Sequence, residues 1–494
     1  MSTRWGEGSS VSTAGADPDD LPLFAASAKV YPQSVSGPFR RAKWAILFLC
    51  LGIYYLLPFL RWNRGPHLPD QAVLADIANG RFYFFFIEIW PQEVYYFTGL
   101  LILAAFALFL MNALAGRVWC GYLCPQTVWT DLFLAVERFF EGDRRERMRL
   151  DEAPWSVDKL WRKVAKHAVW LVIAWWTGGA WVLYFADAPT LVRELATFTA
   201  PLSAYVWIAI LTFTTYALAG IMREQVCKFM CPWPRIQAAL TDDEALNVTY
   251  RYDRGEPRVS VKQGLKLKAK GSPAGDCIDC HQCIAVCPVG IDIRDGSQLD
   301  CIQCGLCIDA CDTVMAKVDR PRRLIAYDTD TNVKRRMAGL KAIYRPLRAR
   351  TVIYAALIAV VGGAMLWQLA TRRTADISVL HERAPLFVTL SDGSIRNAYA
   401  VRLLNKRPEI RPFALSVDGL PGIRIEAIGV AQTADVRPVV TVDPDSSREV
   451  RVLVTVPARV PLEASQAITI TASDLFAGET VRATDHFMAP GAKP

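Results

Sequence analysis

Three features of the sequence predict a multidomain α + β architecture: long apolar stretches, a block of closely spaced cysteines, and an alternating C-terminal tail. The 494 residues are 52% hydrophobic and 21% charged, with mean hydropathy +0.19. That is too apolar for an ordinary soluble enzyme and too charged for membrane helices alone, so membrane spans joined to soluble domains are expected. The net charge of +8 reads as the basic flanks of spans, not as a nucleic-acid footprint. Twelve of the 13 cysteines lie between Cys120 and Cys311, and the other is Cys50. A secreted disulfide scaffold would carry cysteines in its extracellular part. This clustering points instead to metal ligation in a reducing compartment.

Residues 1–43 read as a cytoplasmic tail. The first 30 are polar, carry "DPDD" and lack the basic-then-apolar pattern of a signal peptide. Five stretches reach bilayer length, about 20 apolar residues each. They are 44–60, 94–115, 168–185, 201–222 and 351–370. "RFYFFFIEIW" (81–90) is too short to span and holds Glu88, which predicts an interfacial aromatic segment. Basic residues give the orientation. "FRRAK" precedes the first span, the loop 116–167 carries ten Lys/Arg, and 223–350 is rich in them, whereas 186–200 has Arg193 alone. The N-terminus, 116–167 and 223–350 are therefore expected in the cytoplasm and the tail outside. Arg372 and Arg373 run against this and are outweighed. The segment after the fourth span divides into a connector (223–270), a cysteine-rich domain (271–320) and a basic juxtamembrane linker (321–350).

The tail, 376–494, reads as β. "EVRVLVTV" (449–456) places Val450, Val452, Val454 and Val456 on one face. "NAYAVRLLN", "FALSVDG", "IRIEAIG" and "QAITITAS" are further short runs between turn residues. Strands at such short intervals predict an immunoglobulin-like sandwich.

The strongest motif is "CIDCHQCIAVCP" followed by "CIQCGLCIDACD", both C-x2-C-x2-C-x3-C. This is the bacterial ferredoxin run for [4Fe–4S] clusters, in which three close thiolates wrap one cubane corner and the fourth ligates the other cluster. Cys277, Cys280, Cys283 and Cys311 are thus assigned to one cluster, and Cys301, Cys304, Cys307 and Cys287 to the second. Structural zinc favours separated C-x2–4-C pairs and fits two consecutive triple runs poorly. His281 reads as a solvated loop residue. The predicted fold class is a five-helix transmembrane bundle with a cytoplasmic 2[4Fe–4S] ferredoxin domain and a C-terminal immunoglobulin-like β-sandwich.

"RVWCGYLCPQTVW" and "CKFMCPWPRIQ" form a matched pair of C-x3-C-P motifs, each following an outside-to-inside span. On helical backbone residues i and i+4 share a face. If spans two and four pack together, the thiols of Cys120, Cys124, Cys227 and Cys231 converge. Four soft sulfurs suit Cu(I), zinc or an iron–sulfur cluster; the bland alternative is cysteine packed as a small hydrophobe. That alternative is taken for Cys50. Haem fits poorly: of five histidines only His167 lies near a span on the cytoplasmic side, where an interfacial role is expected. No glycine-rich dinucleotide fingerprint follows a predicted strand.

These cysteine blocks, with "GRVWCGYLCPQTVWTDLF" and "VYPQSVSGPFRRAKW", resemble the CcoG/FixG/RdxA family of cytochrome oxidase accessory proteins, over most of the chain from Val30 onward. The resemblance implies a bacterial inner-membrane protein needed for maturation of cbb3-type cytochrome c oxidase, reducing Cu(II) to Cu(I) for its copper centre. It implies two [4Fe–4S] clusters on the eight ferredoxin cysteines and copper handling by Cys120, Cys124, Cys227 and Cys231. Implied partners are oxidase subunits or assembly factors, a copper chaperone or copper-transporting ATPase, and a cytoplasmic electron donor. His281, Gln282 and the "SQLD" before Cys301 depart from the family pattern without removing a ligand. The alternative is an electron-relay subunit between quinone or a cytoplasmic donor and a partner protein.

Overall fold

The computed structural model describes residues 29–65, 68–407, 409–430 and 437–490. The expected N-terminal tail up to residue 28 and His67 lie outside the described residues. The described residues form two compact units, one of residues up to 62 with 71–365 and the other of 63–65 and 68–70 with those from 366 onward.

Among the described residues, four helices of the first unit or its boundary are long and apolar enough to cross a membrane: Pro38–Phe59, Tyr95–Ala115, Leu202–Met222 and Ala349–Ala370. Little of their surface is covered within the chain, as a lipid-facing helix with internally satisfied backbone allows. The expected span 168–185 is the later part of a longer helix, Val157–Val182. Lys166, His167 and five tryptophans dilute that helix's apolar character, so it falls short of the four. Leu171, Val172, Trp175 and Trp176 still give it an exposed apolar flank.

The first of these helices begins earlier than expected, at Pro38, whose fixed φ suits a first helical position. Its free N–H groups are capped from far along the chain. Asp309 accepts from the backbone of Arg40 at 2.8 Å and of Phe39 at 3.3 Å. Gly37 is required there, since a Cβ would lie 2.2 Å from the Asp309 carboxyl carbon. The aromatic segment 81–90 folds as part of a three-stranded antiparallel sheet, Val73–Asp76, Arg81–Phe84 and Ile87–Ile89. Phe82 pairs with Ile89 and Arg81 reaches Glu88 at 3.3 Å.

Several buried charges of the first unit are paired, which offsets the cost of burying them. Arg40 bonds both oxygens of Asp131 at 2.8 Å. Glu137 meets Arg223 at 2.9 Å and Arg147 at 3.2 Å, and Glu141 meets Lys166 at 2.8 Å. These pairs lock helix Pro125–Glu141 to its neighbours and to the end of the Leu202–Met222 span.

The second unit is a sandwich of two antiparallel sheets. One holds Arg424–Ala427, Ser446–Val456, Ile395–Asn405 and Ala375–His381, with Val388–Thr389 added to Ile395–Asn405. The other holds Val439–Val442, Arg411–Asp418, Ser465–Asp474 and Thr480–Met488. Val450, Val452, Val454 and Val456 all point into the core with Tyr399, Phe413 and Ile470. The alternation read from the sequence is thus the inward face of one strand.

Candidate metal centres

Two short strands, Asn247–Tyr250 and Ile325–Asp328, pair antiparallel beneath the cysteine-rich loops. The loops repeat one backbone device. In "CIDCHQC" the residues on either side of the middle cysteine, Asp279 and His281, have positive φ of 55°. In "CIQCGLC" the equivalents are Gln303 at 55° and Gly305 at 73°. Each left-handed residue turns the chain back, so three successive thiols face one way. His281 therefore has a backbone role that the sequence reading assigned to none. Gly305 also admits Phe39, whose ring would lie 2.9 Å from an added Cβ.

The thiols ring two neighbouring cavities, each with about 350 Å³ of empty space. One is lined by Cys277, Cys280, Cys283 and Cys311. The other is lined by Cys287, Cys301, Cys304 and Cys307, and Cys283 borders it too. The last cysteine of each run thus crosses to the other run's cavity. Burial pushes the thiols of Cys283, Cys301 and Cys311 up to about 12 and Cys287 to about 11. Cys307 is held well above its ordinary value. Neutral thiols at such sites ionise on taking metal, whose charge offsets the desolvation cost. Four thiols spread around a cavity suit a four-iron cubane, which meets its ligands at separate corners. Among the described residues, no three His, Cys, Asp or Glu side chains gather tightly enough to hold a single metal ion.

The C-x3-C-P pairs use a different backbone. Each lies on a one-turn π-helix, Trp119–Leu123 and Val226–Met230, rather than on the expected α-helix. The defining bonds run from Cys124 N–H to Trp119 at 2.9 Å and from Cys231 N–H to Val226 at 2.8 Å. In both, the second cysteine has left the helix for extended backbone, at ψ 129° and 122°. The following Pro125 and Pro232 account for this, because proline drives its predecessor out of helical conformation. The four thiols are mutual neighbours. Burial raises Cys120 to about 12, with Cys124, Cys227 and Cys231 adding to the rise. Burial likewise raises Cys227 to about 12, with Cys124 and Cys231 adding to it. Cys120 also donates to Gln237 at 3.4 Å. Beside Cys227 lies a depression open to solvent, bounded by Lys43, Asp131, Arg223, Pro288 and Ile302.

This thiol cluster abuts the second cysteine-rich loop. Tyr122 donates to the Cys304 carbonyl at 3.0 Å. A Cβ on Gly121 would lie 2.9 Å from the Ile302 carbonyl and 3.0 Å from that of Gln303. Arg117, buried, is the fastener. Its backbone N–H bonds the Gln303 side chain at 2.8 Å, and its guanidinium reaches the carbonyls of Leu299, Cys301 and Pro234. One side chain thereby joins both C-x3-C-P motifs to the 301–307 loop. Gln126 adds a second tie, to the carbonyls of Leu218 at 2.8 Å and Arg223 at 3.2 Å. Arg117, Tyr122, Gln126, Gln237 and Gln303 were not singled out from the sequence. A charged residue just past an apolar span is the one signal that could have flagged Arg117. Cys50 lies half-buried on the first membrane helix. His167 bonds the Tyr216 hydroxyl at 2.9 Å and stands edge-on to Trp170.

Three family models match the chain. A 4Fe–4S dicluster domain covers residues 222–330, a 4Fe–4S binding domain covers 97–141, and the immunoglobulin-like fold at the C-terminus of FixG covers 365–490. The chain is 49% identical over 497 residues to nitrogen fixation protein FixG of Rhizobium meliloti, covering 95% of this chain and 94% of that protein. It is 52% identical over 413 residues to protein RdxA of Cereibacter sphaeroides, covering 83% and 86% of the two chains. Protein RdxB of the same organism is 50% identical over 464 residues, covering 93% and 96%.

Proposed function

This chain belongs to the FixG/RdxA family, and from that premise we propose that it is a cupric reductase serving assembly of a cbb3-type cytochrome c oxidase. Its standing as an iron–sulfur redox protein rests on the matched 4Fe–4S domains. The copper step rests on one observation: four half-buried thiols from two helix ends neighbour one another beside the backbone of the Cys301–Cys307 loop.

In this reading Cys277, Cys280, Cys283 and Cys311 hold one cubane, and Cys287, Cys301, Cys304 and Cys307 the other. Bound clusters supply one-electron transfer, and Cu(II) to Cu(I) takes one electron. Copper is the substrate. Cys120, Cys124, Cys227 and Cys231 bind it as thiolates, losing their protons as the cation draws together thiols that in this structure stand too far apart to share one ion. Soft sulfur favours the cuprous product over the cupric ion. The basic flanks of the spans support an inner-membrane protein with the cysteine-rich domain on the cytoplasmic side. Partners of matching chemistry are a Cu(I)-accepting chaperone, a copper-transporting ATPase or the oxidase itself.

Copper K-edge absorption tests this directly. Protein loaded with one equivalent of copper under reducing conditions is expected to show a sulfur-only first shell. That shell should vanish when all four helix-end cysteines become serine, with iron content unchanged. A nitrogen- or oxygen-rich shell in the wild type would contradict the assignment. A second reading is that these four thiols hold a further iron–sulfur centre. The 4Fe–4S binding model over residues 97–141, which spans Cys120 and Cys124, favours it. Its signature is loss of about four irons per chain in the four-serine variant.

A further inference from the structure

The second unit carries an apolar tip at the end where the chain enters it. The helix Ala349–Ala370 stops just before the first sandwich strand starts at Ala375. Strand register fixes which end this is. Ala375 pairs with Asn405 at the close of its strand, and Arg411 at the opening of its strand pairs with Val442. Asp474 pairs with Phe413, and Ser473 with Thr480. The chain entry, residues 406, 407, 409 and 410, and the 475–479 turn therefore lie at one end.

Hydrogen bonds hold that turn to the entry segment. The Glu479 carboxylate accepts from the Thr374 backbone N–H at 3.0 Å and from the Thr374 hydroxyl. Arg411, buried, meets Asp474 at 2.5 Å and Glu479 at 2.9 Å, and donates to the Thr374 carbonyl at 3.1 Å. The turn is tightly built: Phe476 N–H bonds the Asp474 carboxylate at 2.8 Å, and Gly478 takes φ of +68°. Yet its sequence is "LFAG", where turns ordinarily use polar residues. Phe476 is 80% exposed and Leu475 53%, and Ile410 in the adjoining loop is 54% exposed.

Residues 371–374 can extend by at most about 14 Å. The polar zone of each leaflet is roughly 5–8 Å deep beyond the hydrocarbon. A rigid apolar tip held to a segment this short, directly after a membrane-crossing helix, sits within reach of the bilayer surface. We propose that Leu475 and Phe476, with Ile410, insert into the headgroup–acyl boundary of the leaflet from which the helix emerges, with phospholipid as the partner. Arg373, exposed beside the entry, suits the phosphate layer. The sandwich thereby touches the membrane through its own tip.

Photocrosslinking tests this on the full chain in nanodiscs of phosphatidylethanolamine and phosphatidylglycerol. One preparation carries p-benzoylphenylalanine in place of Phe476, another in place of Leu380. Leu380 is 68% exposed but stands near the far end of the strand Ala375–His381. The expected result is phospholipid adducts by mass spectrometry at position 476 and few or none at 380. Equal labelling at both positions, no lipid adduct at 476, or adducts from 476 to a second copy of the chain would each overturn the proposal.

Discussion

The cysteine-rich loops and the helix-end thiols present the same side chain on two unlike backbones. In the loops, paired left-handed residues at 279 and 281, and again at 303 and 305, curl a short segment until its own thiols converge. At the helix ends, each motif offers two thiols from a π-turn that a proline terminates, and two distant motifs must meet to make four. The first arrangement is local and needs metal to ionise its buried thiols. The second is tertiary and depends on what clamps the helix ends to the 301–307 loop. Damage should therefore spread differently from the two regions.

The largest contrast is in iron. Cys311→Ser removes a thiol that crosses between the two runs, so about half of the iron should be lost, with cooperative unfolding of the domain at lower temperature. Cys120→Ser should leave iron content intact, measured by metal analysis and EPR. Equal iron loss in both variants would erase the distinction. Next comes the clamp. Arg117→Ala strips donors from buried carbonyls on both sides and should cost about 3 kcal/mol in thermal unfolding. Arg117→Lys should recover less than half, since an ammonium cannot span the same acceptors. Gly121→Ala forces a methyl against the 302 and 303 carbonyls and should cost about 1–3 kcal/mol. It should perturb the EPR signal of the Cys301–Cys307 site more than that of its neighbour. The smallest effect is at the remote cap. Asp309→Ala leaves the first helix N-terminus uncapped, at about 1 kcal/mol, seen as faster hydrogen exchange of residues 39–41.

How far the sequence discloses this arrangement varies with how local each feature is. The valine alternation at 450–456 displays its buried face outright because strand periodicity needs only neighbours. The ferredoxin runs show their chemistry in spacing alone. The helix holding the expected span 168–185 is not among the four apolar enough by composition to cross a membrane, since it is rich in tryptophan and carries Lys166 into a buried ion pair. The π-turns are invisible to an i, i+4 argument, though the prolines at 125 and 232 hold the reason the helix stops. Gln303 and Asp309 could not be singled out, because each acts on a segment more than a hundred residues away.

The central claim is that copper is reduced at the four helix-end thiols. Stopped-flow mixing of dithionite-reduced, desalted protein with Cu(II), following Cu(I) by a chelator dye, tests it most directly. With iron content matched, replacing Cys120, Cys124, Cys227 and Cys231 by serine is expected to abolish the fast phase of Cu(I) formation. An unchanged fast phase in that variant would contradict the account.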